Sequence, residues 1–287
     1  MTPEPNPVAS AAGMPGTKPA PHNLMLRVIS SVVLAPVAIG IAYLGGWPFT
    51  VFWTAAAAAV WWEWTRLVHP SGHPGVLMTG LCTLVFQALL LTIDRDDVAI
   101  MITGLGGLAA AIISARNAIW TAAGIVYASI LMIAPITIRG DDLTGFFAIA
   151  FVFAVVWATD IVAYFTGRAI GGPKLAPSIS PNKTWSGAIG GIIAAIAAGA
   201  TFASLTNARP FFLAVIAVAL SVASQAGDLF ESRMKRLFNA KDSSALIPGH
   251  GGLMDRLDGF VAAALIALAI GVARAGWNSP AQGLIGW

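Results

Sequence analysis

The chain has 287 residues, 57% of them hydrophobic and only 10% charged, with a net charge of +3 and a mean hydropathy of +0.79. Soluble domains carry about 25% charged residues, so this composition excludes a soluble globular protein and predicts an integral membrane one, with no nucleic-acid partner. The single cysteine, Cys82, excludes an internal disulfide.

Residues 1–24, rich in Pro, Ala and Gly, cannot bury enough apolar surface to fold alone and are expected to form a disordered tail. They lack the basic start and apolar run of a secretory signal, so the first apolar run, to about residue 44, is expected to stay as an anchor. Residues 25–287 then form one membrane domain. A spanning helix needs about 20 mainly apolar residues. Nine segments fit: about 26–44, 49–67, 75–93, 98–114, 118–138, 145–166, 186–206, 210–227 and 259–275. Breaks fall at "GGWP", "HPSGHP", "DRDD", "ARN", "RGDD" and "TNARP". The expected fold is all-α and polytopic, with about nine transmembrane helices and a cytoplasm-facing polar site.

Cytoplasmic loops carry an excess of Lys and Arg. Alternating sides, with Arg233, Lys235, Arg236 and Lys241 inside, also place Lys18, Arg27, Arg66, Arg116, Arg168, Lys174, Lys183 and Arg256 inside. Only Arg95, Arg139, Arg209 and Arg274 remain outside. The N-terminus is thus expected in the cytoplasm and the C-terminus outside.

Two long loops, about 167–185 and 228–258, face the cytoplasm in this topology, and long ordered loops are usually functional. In the first, "TDIVAYFTGRAIGGPKLAPSISPNKTWSG", Asp160 lies inside the sixth span, where a charge costs roughly 2.5–3.5 kcal/mol on insertion scales and must face a partner or cavity. Tyr164 shares its helix face. "SISPNKTWSG" places Ser180, Lys183 and Thr184 just before a helix start, an arrangement suited to phosphate. The competing reading makes Ser180 and Thr184 helix caps and Lys183 a membrane anchor.

In the second loop Asp228 and Glu231 are three residues apart, as are Asp255 and Asp258. Helical pairs at that spacing share a face. Asp228 is expected to end one span and Asp258 to begin the next, so that four carboxylates meet at one depth. Such a set suits Mg2+, which takes oxygen ligands and keeps substrate phosphates in its shell; one Cys and four scattered His supply no soft ligand set. Arg233, Lys235, Arg236, Lys241 and Arg256 lie between the carboxylates, and "PGHGG" adds unobstructed backbone N–H groups. The alternative is a solvated loop of weak ion pairs. Elsewhere, His69 and His73 read as loop residues, Trp61, Trp62 and Trp64 as an aromatic belt, and Glu63 either pairs with Arg66 or turns into the site.

The segment from Ser232 to Gly259, "SRMKRLFNAKDSSALIPGHGGLMDRLDG", resembles the signature of phosphatidate cytidylyltransferases (CDP-diacylglycerol synthases). "GDLFES", "DIVAYFTGR" and "SPNKTWSG" are similar too, with Ser186 where that family often has Glu. The resemblance covers about 155–262, the expected catalytic region. It implies transfer of CMP from CTP to phosphatidate with release of pyrophosphate. Catalytic roles are implied for Asp228, Lys235, Arg236, Lys241, His250, Asp255, Arg256 and Asp258. Asp228, Asp255 and Asp258 would hold Mg2+ and a second cation. Substrate contacts are implied for Asp160, Tyr164, Arg168, Lys174, Ser180, Lys183, Thr184, Glu231, Gly251 and Gly252. CTP, phosphatidate and a bacterial plasma membrane are the expected partners, with a homodimer as the candidate assembly.

The rivals are a CTP-dependent lipid kinase and an ion-coupled transporter. A CDP-alcohol phosphotransferase is disfavoured because Asp258-Gly259 is followed by Phe-Val-Ala-Ala rather than that family's "DG-x-x-AR".

Overall fold

The structure, a computed structural model, describes residues 35–140, 142–244 and 251–287. The expected tail, Lys18, Arg27 and His250 lie outside them. Among the described residues the order is α1 (Ala35–Leu44), α2 (Gly46–Val68), α3 (Pro74–Leu91), α4 (Asp96–Ser114), α5 (Ala118–Arg139), α6 (Leu143–Ile170), β1 (Lys174–Ala176), β2 (Ser180–Thr184), α7 (Trp185–Thr206), α8 (Pro210–Leu237), α9 (Met254–Ala275) and α10 (Pro280–Ile285). The protein is an all-α polytopic membrane protein. Seven helices, α3 to α9, are long and apolar enough to cross a membrane. α2 has the length but is not among them, consistent with its polar "WWEWTR" end.

Local chemistry sets the helix ends. Pro74 and Pro210 open α3 and α8 at positions whose N–H has no intrahelical partner. The Asp142 side chain caps α6, accepting from Gly145 N at 2.7 Å. Thr184 caps α7, and Asn207 ends it in the left-handed region.

α5 is the most enclosed of the seven, packing against α2, α3, α4, α6 and α9. α6 to α9 pack in series beside it. Trp61 and Trp64 are buried here, with their indole N–H groups donating to Leu77 O and Trp120 O. The expected aromatic belt is therefore corrected for these two: each closes against a glycine, Trp61 on Gly80 and Trp64 on Gly124.

The loops gather at two ends. Glu63 near the end of α2 bonds the start of α9, and Asn117 before α5 donates to Val68 O. At the other end Arg139 donates to Ala42 O and Tyr43 O.

Both long loops are shorter than expected. α6 continues to Ile170, and the rest of the first loop is an antiparallel hairpin pairing Lys174 with Thr184 and Ala176 with Ser180. α8 continues to Leu237 and α9 starts at Met254. Asp228 therefore lies inside α8 rather than at its end, and Asp258 in the second turn of α9. Helix propagation needs only satisfied backbone bonds, so a polar stretch prolongs a spanning helix past its apolar part. α10 was not expected.

Candidate active site

α8 and α9 cross closely enough that a Cβ on Gly227 would sit 2.6 Å from Asp258 O. Gly259 meets Ser224 in the same way. Only glycine permits this approach, and it brings the neighbouring Asp228 and Asp258 together. Asp258 lies within electrostatic range of Asp228, Asp160 and Lys183. α6 supplies Asp160, and the β2 strand supplies Lys183, whose ammonium pairs with an Asp228 oxygen. Ser232 Oγ donates to the other Asp228 oxygen at 3.4 Å. Three carboxylates from three helices thus share one lysine. Asp160 is exposed, while Asp228 and Asp258 are half-buried, so the cluster lines an open cleft.

A second nest lies beside it. Lys235 Nζ is 2.7 Å from Glu231 Oε2 and 2.6 Å from Asp255 Oδ1. Asp255 Oδ2 accepts from Gly252 N at 2.9 Å, Ser243 N at 3.2 Å and Ser243 Oγ at 3.1 Å. Buried Glu63, from α2, accepts from Ser244 Oγ at 2.5 Å, Met254 N at 2.7 Å, Leu253 N at 2.8 Å and Ser243 Oγ at 3.2 Å. A carboxylate has about four lone-pair sites, and Glu63 and Asp255 each fill three of them with donors of their own. The Ser243 hydroxyl has one proton and serves one of the two carboxylates at a time. Glu63 also places negative charge against the N-terminus of α9, where the helix dipole favours it. Gly252 is required between them: its Cβ would lie 2.7 Å from Glu63 Oε1.

The sequence expectation of four carboxylates at one point therefore resolves into two nests. Asp160, Lys183, Asp228 and Asp258 form the open one; Glu231, Lys235, Asp255 and Gly252 belong to the closed one. The Gly252 N–H is spent on Asp255. Gly251, with φ of 80°, turns the chain beside that carboxylate. Thr184 is buried and caps α7, donating no free hydroxyl to the cleft, because its Oγ1 meets Gly187 N and Ser186 Oγ. Ser180 pairs with Ala176 in the hairpin. Tyr164 and Arg168 are exposed and joined, Arg168 Nη1 donating to Tyr164 Oη at 3.0 Å. Lys174, Arg236, Lys241 and Arg256 are exposed at this end of the bundle.

Among the described residues no three His, Cys, Asp or Glu side chains are placed to hold a metal by themselves. Mg2+ needs only one or two carboxylates when substrate phosphates complete its shell. Asp228 and Asp258 in the open cleft fit that requirement. Asp255 is engaged by Lys235, Ser243 N and Gly252 N.

The profile of the cytidylyltransferase family matches residues 25–273. The chain belongs to the cytidylyltransferase family. Similar proteins include the phosphatidate cytidylyltransferase of Brucella abortus, 45% identical over 87% of this chain and 93% of the relative. Those of Bacillus subtilis (33% identical, 83% and 94% covered) and Pseudomonas aeruginosa (32% identical, 90% and 100% covered) are also similar.

Within this cytidylyltransferase, sequence reading left Glu63 undecided and passed over Ser243, Ser244 and Tyr127. An acid in an otherwise aromatic and apolar helix end was the available signal for Glu63. Tyr127 offered none: its hydroxyl is buried within electrostatic range of Asp258, Glu231, Asp228 and Asp255 and has no hydrogen-bond partner among the described residues.

Proposed function

We propose that this chain transfers CMP from CTP to the phosphate of phosphatidate, giving CDP-diacylglycerol and pyrophosphate. The observation that carries the reading is the open cleft of Asp160, Asp228, Asp258 and Lys183, at the cation-rich end of a membrane bundle. In the reaction a phosphatidate oxygen bonds the α-phosphorus of CTP as the bond to the pyrophosphate oxygen breaks. The monoester is already anionic at neutral pH, so positioning and charge stabilisation carry the rate without a strong base. Lys183 would meet phosphate oxygens at the cleft, with Arg168, Lys174 and Arg256 around the lipid headgroup, and Arg236 and Lys241 toward the leaving pyrophosphate. Lys235 and Glu63 fix Asp255 and the start of α9. Mg2+, held by Asp228 and Asp258, would supply neutralisation of the triphosphate charge.

The exposed position of Asp160 within α6 supports a cleft open sideways to lipid. This matters because phosphatidate cannot leave the bilayer without exposing acyl chains, at about 0.8 kcal/mol per CH2. We place the site end in the cytoplasm of a bacterial membrane, since Arg95, Arg139, Arg209 and Arg274 are the only described cations at the other end. The N-terminus then lies inside. Nine spans follow if α1 and α2 also cross; α2, at 23 residues, is about 34 Å long, enough for the hydrocarbon core.

The test is pyrophosphate release by the purified protein. It should require CTP and phosphatidate together. Release of CDP in place of pyrophosphate would instead fit a lipid kinase.

A further inference from the structure

A cavity of about 700 Å3 opens between the end of α2 and residues 238–244, which follow α8, next to the closed nest. Its walls include Trp62, Arg66, Phe238, Asp242, Ser243 and Ser244. The size is that of a small-molecule site, 300–1,000 Å3, and so is the mixture of aromatic walls with a few polar groups. Two of these residues are already fixed from behind: Ser243 Oγ reaches Glu63 and Asp255, and Ser244 Oγ reaches Glu63. Phe238 is held edge-on by Trp120, ring centroids 6.0 Å apart. The Arg66 guanidinium lies 5.1 Å from the Trp62 ring centre. The cavity therefore has two aromatic surfaces, a cation and a carboxylate. It is joined through Ser243 to the carboxylates of the site.

We propose that this cavity is the nucleoside subsite, taking the cytosine and ribose of the nucleotide while the phosphates point toward the open cleft. The proposal rests on the reading of CTP as the donor and adds where and how the base is read. Cytosine presents a planar face for stacking, worth about 1–3 kcal/mol per base on an aromatic side chain, or roughly five- to 150-fold. Its edge offers one amino donor and two acceptors. Asp242 accepts from the amino group and Arg66 donates to the acceptors. Uracil has a carbonyl oxygen where cytosine has the amino group, and Asp242 would repel it. A site built to hydrogen-bond a substrate N–H rejects an analogue lacking it, because its own polar group is left unpaired.

The experiment measures steady-state kinetics of the full-length protein with CTP, UTP and phosphatidate, for wild type, Trp62→Ala, Trp62→Phe and Asp242→Asn. Trp62→Ala should raise the KM for CTP about tenfold with the KM for phosphatidate unchanged, and Trp62→Phe should restore most of it. Asp242→Asn, at an exposed position that folding does not depend on, should narrow the preference for CTP over UTP at least about tenfold. Unchanged CTP KM and unchanged preference would overturn the subsite. So would a rise in phosphatidate KM alone, which would give the cavity to the lipid headgroup. If wild type makes no pyrophosphate from CTP and phosphatidate, the transfer reading fails by itself. Equilibrium binding of CTP to the same variants then decides the subsite, with equal affinity across all of them overturning it.

Discussion

The backbone N–H of Met254 donates to Glu63 Oε2 at 2.7 Å, joining residues 191 positions apart in the chain. Through it α2 caps α9, and the start of α9 carries Asp255 and Asp258. The start of α9 is thus anchored by a helix in the other half of the molecule.

Removing that anchor by Glu63→Ala leaves the backbone N–H groups of Leu253 and Met254 without their acceptor. Each unsatisfied buried donor costs ~1–3 kcal/mol. Thermal unfolding in detergent should show a lowered midpoint, and kcat should fall by about tenfold or more. Glu63→Asp, one methylene short, should fall between. A Glu63→Ala protein with wild-type midpoint and kcat would refute the anchoring role.

Lys235 and Asp255 form one unit with Glu231. Asp255→Asn should abolish turnover while the protein still inserts and folds, since Asn keeps the size of the side chain and an acceptor oxygen for the Gly252 and Ser243 N–H groups. Lys235→Met should be nearly as damaging. Because residues acting as a unit are non-additive, the double variant should be scarcely worse than either single one. Additive losses would show that the two act separately.

Lys183 ties the hairpin to Asp228 across the cleft. Lys183→Ala should lower kcat/KM at least about tenfold, the size of a lost charge-assisted contact to phosphate. Unchanged kinetics would leave Lys183 as a membrane anchor only.

Gly227 sets the spacing of α8 and α9. Gly227→Ala must move backbone away from Asp258 O, a strain of about 1–3 kcal/mol, and activity should drop although every charged residue remains. Gly104→Ala in α4 has open space around its Cβ and should be neutral, which makes it the control. Equal activity of the two variants would contradict the close-crossing account.

The helices were legible because an apolar run of 17–25 residues can be little else. Their ends were less so. Where α8 runs on through "DLFESRMKRL", hydropathy falls but the helix does not, so Asp228 read as terminal when it is internal. The hairpin at Lys174–Thr184 is too short and too polar to announce itself by alternation. The polar candidates were visible one by one, since acids and lysines stand out against apolar sequence. Their partition was not: i,i+3 spacing says that Asp255 and Asp258 share a face of α9, but what that face meets depends on α8 at one turn and on Ser243 and Gly252 at the next. Glu63 stood in plain sight, yet its partners lie about 180 to 190 residues away, and no local pattern encodes that.

The central claim is tested most directly by following the two ends of the triphosphate. The purified protein is given phosphatidate, Mg2+ and CTP labelled either at the α- or at the γ-phosphate, and the lipid is extracted. The account predicts that α-label enters the lipid and γ-label stays in the aqueous phase as pyrophosphate, with both signals lost on chelation of the metal and regained on its return. Label from the γ-position in the lipid, with none from the α-position, would contradict it.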